Sequence, residues 1–186
     1  MTNIHKLKIE PMTPETFAPF GEMMDAKETP ADHRVFFPVD FQADGKTTMS
    51  VIWQPKEGIT FTKLERHFGV TQSFVQLSGS PAVVAAASPT DPDDPQAIPR
   101  PEDVHAFLID PARGFAFSRG TWHSLDRFIL APPGATFLIL NVGPNPTQFA
   151  DYLEGHALTF TDLGTDQNPT KVDLKKKYDL TFEISL

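Results

Sequence analysis

The sequence contains no cysteine, and that absence removes several kinds of chemistry. A disulfide, a thiolate nucleophile and a cysteine-ligated metal are all excluded. The glycine-rich phosphate-binding patterns of nucleotide enzymes are also missing. No GxSxG elbow occurs, so nothing local supports a serine hydrolase.

Positive charge is scarce, because 16 Lys and Arg stand against 24 Asp and Glu for a net charge of −8. Nucleic acids and anionic membranes attract basic surfaces, so we expect neither as a partner. No segment approaches the roughly 20 apolar residues that span a bilayer, and residues 1–10 lack a signal-peptide core. Together with the missing cysteine, this predicts a cytoplasmic protein.

What the chain does have is phenylalanine, with 16 Phe against 2 Tyr, which predicts a core of aromatic rings without polar handles. Its 186 residues suffice for one domain with a sizeable core, and we expect a single domain over residues 1–186. The 18 prolines and 11 glycines suit a protein of short strands and turns.

Strand patterns recur along most of the chain, at residues 47–54, 59–67, 72–77, 81–88, 104–109, 114–118, 126–131 and 136–141. Residues 83–87 are apolar on both faces, which predicts a central strand. Thr13 before Pro14 predicts the start of a short helix. Residues 171–177 suggest another short helix, and residues 180–184 a final edge strand. The series is typical of a mainly β sandwich or barrel.

Polar side chains with chemical potential occur in two separate segments. On strand alternation Glu65 and His67 share one face, whereas Arg66 points away and is expected at the surface or in a subunit contact. Gln72 can return to the same interior after a glycine turn, and His123 arrives from a separate hairpin. We therefore expect these four side chains, without Arg66, to meet inside the barrel.

Two imidazoles, a carboxylate and an amide oxygen allow two kinds of site. If a metal is bound, His67, His123, Gln72 and Glu65 can ligate a divalent transition ion. Without one, His67, His123 and Glu65 can act as an acid–base set. The competing interpretation is that both histidines are structural. A polar barrel interior costs stability unless it binds something, which favours a functional site.

Two further residues near the second segment are candidates for substrate binding. Arg119 can hold a carboxylate in bidentate fashion, although a salt bridge to an acid such as Asp126 would explain it equally. Trp122 is expected to wall the cavity, with a plain core tryptophan as the alternative.

These motifs together resemble a known family. The matching runs, in chain order, are Leu64-Glu65-Arg66-His67, Thr71-Gln72 and Arg119-Gly120-Thr121-Trp122-His123. With them the chain resembles the ureidoglycolate lyases, also called ureidoglycolate hydrolases, of the cupin superfamily over residues 7–142. In that comparison Glu65 and His67 stand where cupins carry an HxH pair, Gln72 where they carry a glutamate, and His123 where they carry the second-motif histidine.

The resemblance implies a cupin-type double-stranded β-barrel, or jelly roll, that forms a homodimer. It implies a carbon–nitrogen lyase of the amidine-lyase type, which cleaves (S)-ureidoglycolate to glyoxylate and urea in purine (allantoin) catabolism. The substrate would be a small anionic hydroxy acid. No cofactor is implied with certainty; a divalent metal ion, if present, would polarise the hydroxyl.

The implied elimination needs a base for the hydroxyl proton and an acid for the departing urea nitrogen. We expect His123 or His67 as the base, and the other histidine or Glu65 as the acid. Arg119 would hold the carboxylate. Two more residues would bond the hydroxyl or the ureido group, namely Gln72 and Ser124.

The chain departs from the family pattern at two places near these residues. Ser124 stands where a second histidine is usual, and Asn141-Val142 stands where an acid–arginine pair is usual. Two alternatives therefore stay open. One is a cupin lyase or isomerase acting on a different small hydroxy or oxo acid, and the other is a non-catalytic cupin that binds a small molecule.

Overall fold

The computed structural model describes residues 3–186 and shows a chain built mainly from β-strands. The strands are β1 (Asn3–Pro11), β2 (Gly21–Met24), β3 (Lys46–Pro55), β4 (Thr60–Phe61), β5 (Lys63–His67), β6 (Ser73–Gly79), β7 (Ala82–Ala87), β8 (His105–Leu108), β9 (Gly114–Phe117), β10 (Trp122–Ser124), β11 (Phe128–Ile129), β12 (Gly134–Gly143), β13 (Thr147–Asp151), β14 (His156–Phe160), β15 (Thr170–Asp173) and β16 (Leu180–Ser185). A short α-helix, α1, spans Pro14–Phe17, and a 3-10 helix spans Pro101–Asp103.

The strands form two curled sheets. The larger has the order β15-β14-β13-β5-β10-β7-β8-β1-β16-β4, with β11 beside β7. The smaller has the order β2-β9-β6-β12-β3. Side chains from both sheets share one buried cluster, so the sheets close on each other around it. The predicted fold, a mainly β, cupin-like barrel with a few short helices, is confirmed.

The barrel interior is packed with phenylalanine. Phe17, fully buried on α1, meets Phe107 of the large sheet edge to face at 5.6 Å between ring centroids. It meets Phe115 of the small sheet in the same way at 5.7 Å. Phe74 stacks on Phe115 at 5.4 Å. Because these rings carry no polar atom, they fill the space between the sheets without needing hydrogen-bond partners.

The outer face of the large sheet supports a second core. Along β7, Ala82, Val84 and Ala86 belong to the barrel core, whereas Val83, Ala85 and Ala87 belong to the second core. The predicted central strand over residues 83–87 is confirmed, because β7 lies between β8 and β10. Large side chains of the second core include Leu64, Trp122, Tyr152 and Phe182.

The helix prediction at Thr13 is confirmed. Thr13 Oγ1 accepts from the Thr16 amide at 3.2 Å, and Thr16 Oγ1 accepts from the Thr13 amide at 3.0 Å, which closes a capping box. Within the described residues, no helix has the length and apolar character needed to cross a membrane.

Two expectations for the C-terminal part need correction. The predicted helix at residues 171–177 is wrong, because Thr170–Asp173 pairs with β14 as strand β15. Sheet pairing overrides weak local helix propensity there. The strand expected at residues 180–184 exists as β16, but it is not an edge. It lies between β1, to which it is parallel, and β4.

Replacing Phe17 with Ala should lower the free energy of unfolding by about 3–5 kcal/mol, because a ring packed on both sheets leaves a cavity. Urea denaturation measures the change. Phe36→Ala is the matched control, since Phe36 is 76% exposed, and we expect almost no effect from it. Equal losses in the two variants would contradict the central position assigned to Phe17.

Candidate active site

Strand pairing brings Glu65, His67 and His123 together inside the barrel. His123 of β10 lies directly opposite Glu65 of β5, and His67 follows two residues further on the same face. Glu65 Oε1 is 3.8 Å from His67 Nε2 and 3.8 Å from His123 Nδ1. The two imidazole centroids are 5.2 Å apart. All three side chains are buried.

Gln72 joins this group from the segment between β5 and β6. Its carbonyl accepts from the Phe117 amide at 2.9 Å, which fixes its backbone against β9. The side chain is buried and its amide lies close enough to His67 to affect the pKa of that ring. The four residues expected to meet in the barrel therefore do so.

Hydrogen bonds fix the tautomer of both histidines. His67 Nδ1 is 2.8 Å from Thr147 Oγ1, and that hydroxyl donates its proton to the Asn145 carbonyl at 3.0 Å. With the hydroxyl proton directed at that carbonyl, we assign the hydroxyl oxygen as the acceptor from His67 Nδ1–H. His123 Nδ1 is 3.0 Å from the Ser124 carbonyl, which can only accept. Both rings thus carry their proton on Nδ1 and leave Nε2 with a lone pair.

Three buried polar atoms in the site have no partner among residues 3–186. They are Nε2 of His67, Nε2 of His123 and Oε1 of Gln72. A buried polar atom without a hydrogen bond costs about 1–3 kcal/mol, so natural proteins rarely leave three of them together. Their concentration at one place in the barrel favours a functional site over a purely structural one.

Burial controls the ionisation of the site. It raises the pKa of Glu65 to about 7, although the positive charge of Arg127 opposes the rise. It lowers the pKa of His67 to about 4, with a smaller raising effect from the Gln72 amide. Burial, together with the neighbouring His67, also holds the pKa of His123 well below its usual range.

These directions decide how the Glu–His contacts should be understood. Distances of 3.8 Å fall within ion-pair range, yet they are too long for a hydrogen bond. Since removal from water disfavours charge on all three groups, we regard them as a neutral set. At neutral pH both imidazoles are uncharged and Glu65 carries a proton for a large part of the time.

The same atoms can hold a metal ion. One ligand atom each from Glu65, His67 and His123 lies within 4.8 Å of the others. Gln72 supplies a fourth oxygen with no other partner. Two imidazole nitrogens with carboxylate and amide oxygens suit a divalent transition ion. The residues present fit such an ion.

Arg119 lies at the mouth of the barrel. Its two terminal nitrogens donate to the two carboxylate oxygens of Asp44, each at 2.8 Å. The side chain lines a cavity of about 270 Å³ that also contains Glu22 and Asp40. Its guanidinium is therefore occupied by an acid in this structure, and the acid is Asp44 instead of the Asp126 considered from the sequence.

Trp122 and Ser124 lie on the opposite face of β10 from His123. Trp122 belongs to the second core, where its Nε1 donates to Thr90 Oγ1 at 3.0 Å. Ser124 Oγ donates to the Asp126 carbonyl at 2.7 Å and accepts from the Ala85 amide at 3.1 Å. Strand alternation thus places neither side chain on the face of the sheet that carries the histidines.

Arg66 corrects an expectation. It points away from Glu65 as predicted, but it is fully buried and so does not lie at the surface. It donates to Gln148 Oε1 and to the Thr90 carbonyl, both at 2.9 Å, and its Cζ lies 4.5 Å from the centroid of the Trp122 ring. The second core covers this face, and a full set of acceptors makes a buried guanidinium tolerable there.

Two residues of the site were missed in the sequence. Thr147 on β13 anchors His67, and no pattern around it indicated that role. Arg127 is buried with its Cζ 4.6 Å from the centroid of the Phe74 ring. It was hidden in a presumed strand over residues 126–131, of which only Phe128–Ile129 is a strand. The sequence signal that could have identified Arg127 is a charged residue directly before an apolar strand pattern.

Comparisons with known proteins match one family over most of the chain. The family model described as ureidoglycolate lyase matches residues 4–148. A Rhodobacter capsulatus protein named ureidoglycolate lyase is 30% identical over 155 residues, covering 76% of this chain and 89% of that protein. Proteins of the same name from Azotobacter vinelandii and Pseudomonas paraeruginosa are 30% and 31% identical, each over 63% of this chain and over 74% and 73% of their own lengths.

Replacing Thr147 with Val should allow the proton of neutral His67 to move between Nδ1 and Nε2, because the variant lacks the acceptor for Nδ1–H. Long-range proton–nitrogen NMR on metal-free protein near neutral pH measures this, since a pKa of about 4 leaves His67 uncharged there. His123 is the internal control, because its anchor is a backbone carbonyl. An unchanged His67 signal would refute the anchoring role of Thr147.

Proposed function

The chain belongs to the ureidoglycolate lyase family, and from this membership and its site we propose that it cleaves (S)-ureidoglycolate to glyoxylate and urea. One observation supports the proposal above all. Two uncharged imidazoles present free Nε2 atoms beside a buried carboxyl group that retains its proton near neutral pH. An acid thus lies 3.8 Å from a ring nitrogen of each of two candidate bases, and the reaction requires an acid and a base.

The reaction requires removal of a proton from the substrate hydroxyl and delivery of a proton to the ureido nitrogen. Ureidoglycolate carries a hydroxyl and a ureido nitrogen on the same carbon. When the hydroxyl proton is removed, the oxygen electrons form the aldehyde C=O bond and the C–N bond breaks. The departing nitrogen takes up a proton and leaves as urea. No water attack and no covalent enzyme intermediate are needed.

The tautomers narrow the assignment of roles. Each imidazole holds its proton on Nδ1, so each can accept the hydroxyl proton at Nε2 and neither can first donate from that atom. Glu65 is therefore the proposed acid, and His67 or His123 the base. The proposal is stricter than the sequence allowed, because the sequence left either histidine as a candidate acid.

Gln72 is the proposed contact for the polar end of the substrate. Its unpaired Oε1 can accept from the hydroxyl or from an N–H of the ureido group. Ser124, expected in the same role, has its hydroxyl engaged by Asp126 and Ala85. We therefore leave Ser124 out of the substrate contacts.

As the alternative to this acid–base set, we propose that His67, His123, Gln72 and Glu65 hold a divalent ion, in which case their proton-transfer and substrate-contact roles belong to the metal-free site only. Such an ion, when bound, would polarise the substrate hydroxyl and lower its pKa. Its binding is testable without turnover, because Co²⁺ in a mixed nitrogen–oxygen site absorbs visible light. We expect the absorption to develop with the wild type and to be lost in Gln72→Ala combined with His123→Ala.

Replacing His123 with Ala should lower the rate of urea release by about 100- to 10,000-fold, the usual contribution of a general base. Glyoxylate and urea are followed from racemic ureidoglycolate, with and without prior chelation. His33→Ala is the matched control, since His33 is 63% exposed and pairs only with Asp32. Undiminished urea release by the His123 variant would exclude it as the base.

The same assay tests the whole proposal. Release of both products from just one of the two enantiomers supports the proposal. Loss of that activity on chelation would show that the metal-bound form is the active one. No release above the spontaneous rate from folded protein would overturn it. The search would then turn to another small hydroxy or oxo acid, or to a binding protein without turnover.

Two further predictions concern the surroundings of the protein, namely a cytoplasmic location and a homodimer. For the homodimer we propose the outer face of the small sheet. Met49, Val51 and Trp53 of β3 are more than half exposed there, as is Leu77 of β6 on the far side of β12. β3 is also an edge strand, paired only with β12. Exposed apolar rows on an open edge favour pairing with a second copy.

Replacing Val51 with Glu should dissociate the homodimer, because it puts a charge in the middle of this apolar face. Size-exclusion chromatography with light scattering measures the mass. Ile4→Glu is the control, an apolar residue of similar exposure on β1. A monomeric wild type, or a dimer that survives Val51→Glu unchanged, would contradict the proposed interface.

A further inference from the structure

Arg127 is a buried cation that the proposed reaction does not yet use. It lies between β10 and β11 and is 7% exposed. Its guanidinium carbon is 4.6 Å from the centroid of the Phe74 ring and 5.9 Å from that of Phe137. Both rings belong to the barrel core, so the charge sits inside the barrel.

The hydrogen bonds of Arg127 are incomplete. Its backbone amide donates to Gln54 Oε1 at 3.1 Å, and its Nε reaches the same oxygen at 3.4 Å. Within residues 3–186, neither terminal nitrogen donates to any acceptor, and no carboxylate forms an ion pair with the side chain. A guanidinium offers its two terminal nitrogens as a fork that matches a carboxylate. That fork is open.

The other two arginines near the barrel differ in this respect. Arg66 donates to Gln148, Thr90 and Asp91. Arg119 is held in bidentate fashion by Asp44. The terminal nitrogens of both guanidinium groups thus have acceptors from the chain itself, and only the Nε of Arg119 lacks one within residues 3–186.

Arg127 is also close enough to act on the catalytic group. Its charge lowers the pKa of Glu65 against the raising effect of burial, and it lowers that of His123 as well. Aromatic contacts join the two regions, since Phe74 meets Phe117 at 6.1 Å and Phe117 stacks on His123 at 4.5 Å. Burial lowers the pKa of Arg127, and the charges of Glu65 and Asp126 oppose that effect, although neither forms an ion pair with it among residues 3–186. An anion held by both terminal nitrogens would offset more of the cost of burying the cation.

We propose that Arg127 binds the carboxylate of the substrate through its two terminal nitrogens and so selects α-hydroxy acid anions. The inference rests on the proposed function in taking that anion to be ureidoglycolate. With the carboxylate on Arg127, the adjoining carbon carries its hydroxyl and its ureido nitrogen towards Glu65 and the histidines. Arg127 replaces Arg119 in the role expected from the sequence.

The first test is kinetic. Replacing Arg127 with Gln, which keeps length and polarity but removes the charge, should raise KM for ureidoglycolate roughly 100-fold through loss of two charge-assisted hydrogen bonds. Arg127→Lys should give an intermediate KM, because it restores charge without the fork. Arg113→Gln is the control, an arginine 38% exposed that pairs with Asp25. We expect it to leave KM unchanged.

The second test does not need turnover. Thermal stabilisation by glycolate is compared with that by glycolamide, its uncharged analogue. The wild type should be stabilised by glycolate and not by glycolamide, whereas Arg127→Gln should lose the preference. If no substrate is turned over, the proposed function fails while this comparison still tests the carboxylate site.

A structural role for Arg127 makes the opposite prediction. In that case Arg127→Gln would lower the melting temperature and leave both KM and the glycolate preference intact, which would overturn the inference. If the glutamine variant does not fold, Arg127→Lys decides the matter. A lysine variant with the KM and glycolate response of the wild type would likewise overturn it.

Discussion

The central strands of the large sheet are buried on both faces, and this constraint determines the rest of the structure. Successive side chains point to opposite faces, so each buried residue of β5, β7 and β10 faces one of two cores. On β5 the assignment puts Glu65 and His67 into the barrel and Leu64 into the second core. A slip of one residue would exchange the two sets. The site therefore exists only in this register.

Polar groups in the two cores differ in how completely they are hydrogen-bonded. In the second core, Arg66 has several acceptors and Ser124 has both a donor and an acceptor. In the barrel, His67 and His123 each have a saturated Nδ1 and an empty Nε2. Arg66 and Ser124 are therefore satisfied by the chain, whereas each histidine of the site keeps one nitrogen without a partner.

The sequence predicted the fold class and the meeting of Glu65, His67, Gln72 and His123, because both depend on local alternation and turn residues. It did not predict which arginine is free. Arg119 and Asp44 are 75 positions apart, so their pairing depends on how two distant segments of the chain pack against each other. Strand alternation is a local property and does not report such contacts.

Arg66 illustrates the same limit from the other side. Alternation correctly turned it away from Glu65, but a two-residue period cannot say whether the far face meets water or more protein. Here β13 and the segment carrying Thr90 cover it. The misassigned helix at residues 171–177 has a related cause, since its first residues gain strand partners only because β14 lies beside them.

Burial sets the protonation states of the site residues together. Exclusion of water raises the pKa of Glu65 above those of the buried histidines, which reverses their usual order. The proton then rests on the carboxyl group, and the acid and the base are ready together without any separated charge in the apolar barrel. Arg127 is the one positive charge left over beside this neutral set, and its terminal nitrogens have no acceptor in the described chain. A substrate carboxylate bound by Arg127 would bring a negative charge to this cation and would place its hydroxyl carbon towards Glu65 and the two histidines.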